Sequence, residues 1–256
     1  MGNLFFSFLI AICGAIGLVT LSRTFDLEMY TTRIFPLIPL LYAIIYETLE
    51  KKRSGRNKTI PPAKAKEEMK AGAAALFQNI TPGRIVTDIG VSFAIKFFFE
   101  ILFVAFFLTF SGQSFSKVYG VFGIETIGRF LRGDHPWITG AEGLYLLTLL
   151  ALSTSFGTGL WIGYTSRGKA ILEGVIAGAV VTMITAMTNM LILYRMIEEA
   201  ADQMAASMGY ATHIGFIAVI TLQVLLYGLW SGLAQKAKEE RVAMTAARKS
   251  GKKRAK

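Results

Sequence analysis

Along this chain, long apolar runs alternate with polar stretches, and six runs carry the pattern of buried or lipid-facing helices. Residues 4–21, 144–164 and 213–233 contain no Asp, Glu, Lys or Arg, and 170–194 contains one acid, Glu173. Each reaches the roughly 20 residues that a helix needs to cross a bilayer core. Residues 85–110 are equally apolar except for charges set at a fixed spacing. Residues 29–49 form the weakest run, because only 34–46 is uncharged and Pro36 and Pro39 interrupt it. That stretch makes about 20 Å of helix. To cross, it must recruit residues 29–32 and leave Arg33 and Glu47 at the two interfaces. The rival reading of this run is a re-entrant or interfacial segment.

The pattern therefore predicts an all-α fold, a polytopic transmembrane bundle of six spans. They cover about 4–21, 29–49, 85–110, 144–164, 170–194 and 213–233, within one membrane domain, 1–235. Between them lie a connector, 51–84, and a loop, 111–142, and a basic tail, 236–256, follows. Composition agrees: 53% of residues are hydrophobic, 17% are charged and mean hydropathy is +0.50. An ordinary soluble domain is more charged than this.

Basic residues set the orientation. The connector holds Lys51, Lys52, Arg53, Arg56, Lys58, Lys64, Lys66, Lys70 and Arg84. The turn after the fourth run has Arg167 and Lys169, and the tail is rich in Lys and Arg. With six spans all three fall on one side, which the positive-inside rule makes cytoplasmic, together with both termini. The sequons at Asn57 and Asn79 lie in this connector, so they should carry no glycan. The same charge attracts anionic lipid headgroups. Lipid and solvation account for the tail before nucleic acid does. Within the connector, 63–78 reads as a short helix after Pro61-Pro62, a surface for lipid or a cytoplasmic partner. The loop 111–142 reads as an interfacial amphipathic helix anchored by Trp137.

The most informative chemistry lies in the third run. Arg84, Asp88, Ser92, Lys96 and Glu100 follow one another at a spacing of four. On a helix each such step is about 40° past a full turn, so the five form a line on one side. Charges on an otherwise apolar spanning helix are expensive and must face protein or water. Three readings follow: an ion pair against neighbouring helices, a polar pathway, or a contact to another subunit. Asn189 and Gln223, deep in the fifth and sixth runs, are further polar candidates for glue or solute contact.

Catalytic signals are missing. His135 and His213 are the only histidines and Cys13 the only cysteine. This argues against haem-ligating pairs, histidine-rich metal sites, cysteine metal clusters and internal disulfides. No Gly-x-Ser-x-Gly or phosphate-binding Gly-rich loop occurs. Asp134-His135 reads as a polar turn and Cys13 as a buried apolar residue. No catalytic, metal or cofactor set is expected, and an enzyme is disfavoured. Small residues recur at a spacing of four: Ser155, Gly159 and Gly163; Gly174 and Gly178; Gly228 and Gly232. They predict close helix packing.

The layout is similar in architecture to permease subunits that couple to a cytoplasmic motor, without a shared motif. The leading expectation is a transporter, channel or permease component in the cell membrane that moves an ion or small solute along the charged line. The alternative is a non-catalytic structural or assembly subunit of a larger membrane complex.

Overall fold

The computed structural model describes residues 2–25, 34–53, 80–121, 123–132, 141–188 and 211–254. Those residues form eight α-helices and no strand. In chain order they are α1 (Gly2–Phe25), α2 (Ile38–Arg53), α3 (Pro82–Phe110), α4 (Phe115–Tyr119), α5 (Ile124–Arg132), α6 (Ala141–Thr165), α7 (Ala170–Thr188) and α8 (Ala211–Arg254). The described residues adopt the expected all-α fold. A 3-10 turn, Phe35–Leu37, leads into α2, with Pro at its first turn where no N–H is needed. The predicted connector helix 63–78, Asn189, and Asp134-His135 with Trp137 lie outside the described residues.

The six long helices alternate in direction. Asn3 Nδ2 donates to Glu50 Oε2 at 3.1 Å, which sets the start of α1 beside the end of α2. Arg84 at the start of α3 reaches Thr165 at the end of α6 and Glu173 at the start of α7. Ala170 N donates to Gln235 Oε1 of α8, and Lys236 Nζ lies 5.2 Å from the centre of the Tyr46 ring. One end of the bundle thus gathers the start of α1, the end of α2, the start of α3, the α6–α7 loop and the middle of α8. Beyond Lys236, α8 continues without a break, so the sixth run and the basic tail are one helix of 44 residues, about 66 Å long.

Two apolar clusters and a small-residue interface hold the helices together. Leu4, Phe35, Tyr42, Ile171, Val175, Leu225 and Leu229 join α1, α2, α7 and α8. At the far end Val104, Leu108, Tyr119, Phe130 and Leu146 gather α4 and α5 onto α3 and α6. Between α6, α7 and α8 the small residues act as their spacing predicts. A Cβ on Gly159 would collide with Trp230, and one on Gly163 with Ala234 and the backbone of Ser231 and Gln235. Gly174 and Gly178 make the same close approach to Ser231 and Tyr227. Gly163→Leu should therefore lower stability by about 1–3 kcal/mol or more by overpacking. Gly90→Ala, where nothing lies within 4 Å, should be neutral or stabilising. Thermal unfolding of the two variants in detergent separates them.

Large apolar side chains line the outside. Phe5, Phe6, Leu9 and Ile16 of α1, Val86, Phe98, Phe106 and Phe110 of α3, and Met183 and Met187 of α7 are all exposed. Cys13 is also exposed on α1, not buried as its apolar character suggests, because that face of the helix has no neighbour among the described residues. Only α3 among the described helices is both long and apolar enough by itself to cross a membrane. The apolar stretches in α1 and α7 are shorter, Gly2–Leu18 and Ala170–Thr185.

Candidate functional site

The charged line on α3 faces inward. The buried residues of this helix are Asp88, Ser92, Lys96, Glu100, Val104 and Leu108, a single spacing-of-four row. The sequence spacing thus marks the packed face, and the polar part of the row is its first two-thirds. Val86, Phe98, Leu102 and Phe106 point the other way. This reverses the usual arrangement of a surface helix on a soluble protein, whose apolar stripe faces the core.

The row divides into two centres. Deep in the bundle, Lys96 Nζ lies 3.3 Å from Glu100 Oε2, with both side chains at least nine-tenths buried. Ser92 does not join them, because its hydroxyl donates to the Asp88 carbonyl one turn back at 2.6 Å. At the start of α3 a larger network forms. Arg84 Nε donates to Glu173 Oε2 at 3.0 Å and Arg84 Nη2 to Thr165 Oγ1 at 2.8 Å. Asp88 Oδ1 accepts from Trp161 Nε1 at 3.1 Å, while Asp88 Oδ2 lies 3.7 Å from Arg84 Nε. Asp88 and Glu173 are 1% and 2% exposed, so both carboxylates are held away from water.

Local structure explains why these groups meet. Thr81-Pro82 starts α3 with Pro in its first turn, which leaves Arg84 near the helix entrance. The loop from Ser166 to Lys169 reverses the chain within four residues. Gly168 has φ of +131° there, a conformation that suits glycine. α8 braces the loop: Gln235 accepts from Ala170 N, and Lys238 Nζ donates to the Ser166 carbonyl at 3.2 Å. Glu173, in the first turn of α7, is thereby delivered to Arg84.

A cavity of about 400 Å³ opens at this network. Arg84, Asp88, Trp161, Thr165, Arg167 and Glu173 line it. Of the residues expected from sequence, Arg84 and Asp88 belong to this cavity, and Lys96 and Glu100 form the deeper pair. Gln223 is half-buried on α8, and among the described residues no hydrogen bond or ion pair joins it to the row. Glu173, Trp161 and Thr165 complete the site without having been singled out. Glu173 had a signal, as the one acid near the start of an apolar run. Trp161 and Thr165 had none, because their role depends on how α6 lies against α3. No three His, Cys, Asp or Glu side chains converge as a metal site among the described residues. No family model matches the chain, and no curated protein or solved structure matches it either.

Proposed function

We propose that this chain is an integral protein of the cell membrane with six crossings and both termini in the cytoplasm. In this reading α3 lines the route of an ion or small solute, and the chain is a transporter, channel or permease component. One observation carries it: the long apolar helix turns Asp88, Lys96 and Glu100 inward while Phe98 and Phe106 stay outside. In water such a surface would be a large exposed apolar patch. In lipid it is the favoured arrangement, since charge at bilayer depth is tolerated only against protein or a polar cavity.

The alternating direction of the six long helices supports six crossings. The positions of Arg53, Arg167 and Lys236 at or near one end of the bundle support the orientation, through the positive-inside rule. Anionic lipid headgroups are the expected partners of those basic residues. The purified chain in sealed vesicles should pass ions or small solutes down a gradient faster than empty vesicles do. The reading fails if flux stays at the empty-vesicle level across inorganic ions and small polar solutes.

A second reading, a structural or assembly subunit, draws support from α8. Past the bundle this helix exposes Val242 and Met244 among charged residues, a surface that a cytoplasmic partner or another membrane subunit could cover. Under it, mild-detergent purification should recover other chains in fixed ratio, and the chain alone should show no flux.

A further inference from the structure

Past the bundle, α8 stands alone. Lys238 Nζ still reaches the Ser166 carbonyl, and the Arg241 guanidinium lies 6.0 Å from the centre of the Tyr164 ring, near the end of α6. Every residue from Glu239 to Ala246 is exposed, so nothing among the described residues encloses the helix there. The helix nevertheless runs on to Arg254. From Arg241 to Arg254 it carries six basic residues and no acid. Lys238, Arg241, Thr245, Lys249 and Lys252 succeed one another at steps of three and four, which places them on one side, with Arg248 beside them. Arg248 and Lys252, like Lys249 and Lys253, are equal charges four residues apart, an arrangement that destabilises a free helix. A negative partner laid along that side removes the repulsion.

Lipid and solvation suffice for a charged tail of any conformation, but a helix directs its charge to one side and carries it away from the bundle. Under the membrane reading the α6–α7 loop marks the edge of the bilayer. Lys252 then lies about 16 Å along the axis beyond Arg241, while the headgroup potential fades within about 8 Å at physiological salt. A protein partner calls for apolar or aromatic anchors. Val242 and Met244 are exposed, but they lie about 200° apart around the helix and form no common patch. Ala243 and Ala246 offer little more. The connector 51–84 is itself basic, so it does not supply the counter-charge. A polyanion recognised by charge alone fits what remains. We propose that the basic side of α8, from Arg241 to Lys252, is a binding surface for nucleic acid, held through the phosphate backbone without base readout. Its steps of about 5–6 Å set a row of cations against the closely spaced phosphates of a strand. The inference stands apart from the flux reading and survives its failure.

Fluorescence anisotropy of the purified full chain in nonionic detergent tests it, with a labelled single-stranded RNA and a labelled DNA duplex as probes. Both should bind at low salt. The logarithm of affinity should fall against that of salt with a slope of about −3 for the single strand and about −4 for the duplex, as four phosphate contacts require. Arg248→Gln with Lys249→Gln and Lys252→Gln should weaken binding roughly tenfold or more and flatten the slope by about 2. Lys51→Gln with Lys52→Gln and Arg53→Gln removes as much charge from the connector and should change affinity by less than about twofold. Thr245→Pro keeps every charge but breaks the helix, and should also weaken binding. Polyglutamate, or phosphatidylglycerol in mixed micelles, should displace the probes far less well than unlabelled RNA at equal total charge. The surface is overturned if neither probe binds, if the connector variant loses as much affinity as the α8 variant, or if Thr245→Pro binds like the wild type. Displacement by polyglutamate or by lipid as effective as by RNA assigns this side of α8 to an acidic protein or to the membrane, and overturns the proposal as well.

Discussion

Lys96→Met alone should destabilise the protein by about 3–5 kcal/mol, because it removes the buried counter-charge of Glu100. Glu100→Leu alone should cost a similar amount, since Lys96 is only 8% exposed. Lys96→Met with Glu100→Leu should recover much of that loss. Two apolar side chains of similar volume remove both desolvation costs at once, and such replacements of buried pairs are often neutral or better. Within the pair, Lys precedes Glu by four residues, the less favourable order along a helix. Stability alone is therefore a weak reason for the pair. The double variant separates the readings of the row. If α3 lines a route, the variant is folded and stable but its flux in vesicles falls at least about tenfold, the effect of a barrier raised by 1.4 kcal/mol. Full flux in a stable double variant removes Lys96 and Glu100 from the route. A stable variant that is lost from its complex favours the subunit reading instead.

The row on α3 was legible because a helix converts a spacing of four into a shared direction, and no tertiary knowledge is needed for that. Its inward facing was legible too, from the cost of placing Asp88, Lys96 and Glu100 against lipid. The residues that complete the site were not. Trp161 reaches Asp88 across 73 positions of sequence and Glu173 reaches Arg84 across 89, so each contact depends on the register of whole helices. The small-residue spacings identified the surfaces that touch but not their partners, since Gly159 and Gly163 meet α8 while Gly157, two residues earlier, meets Ile95 of α3. Ser92 adds a local hydrogen bond that its spacing does not reveal. Its place in the row suggested a lining group, yet a serine in a helix can spend its hydroxyl on the carbonyl one turn back, as Ser92 does. The continuous α8 was hidden for a related reason: apolar and charged halves look like separate units, but neither glycine-rich nor proline-containing sequence breaks the helix between Leu233 and Lys238.

Arg84 should be the most sensitive single position at the entrance. Its guanidinium joins three helices, with Glu173 of α7 at 3.0 Å, Thr165 of α6 at 2.8 Å and Asp88 of its own helix at 3.7 Å. Arg84→Met leaves two carboxylates, each about 2% exposed, facing one cavity without the charge between them. Loss of one buried partner costs about 3–5 kcal/mol, and here like-charge repulsion adds to it. Arg84→Lys should recover only part of this, because one ammonium cannot reproduce a planar fork directed at two helices. Adding Glu173→Gln to Arg84→Met should restore stability further than the lysine does, since it removes the repulsion at its source. Chemical denaturation of the variants in detergent measures the order: wild type, then the double variant, then Arg84→Lys, then Arg84→Met. An Arg84→Met protein as stable as the wild type would show that the α6–α7 loop is held by Gln235 and Lys238 of α8 alone. The expected order instead assigns the closure of this end to the ion pairs, and under the transport reading a solute reaching Asp88 must pass the groups that hold α3, α6 and α7 together.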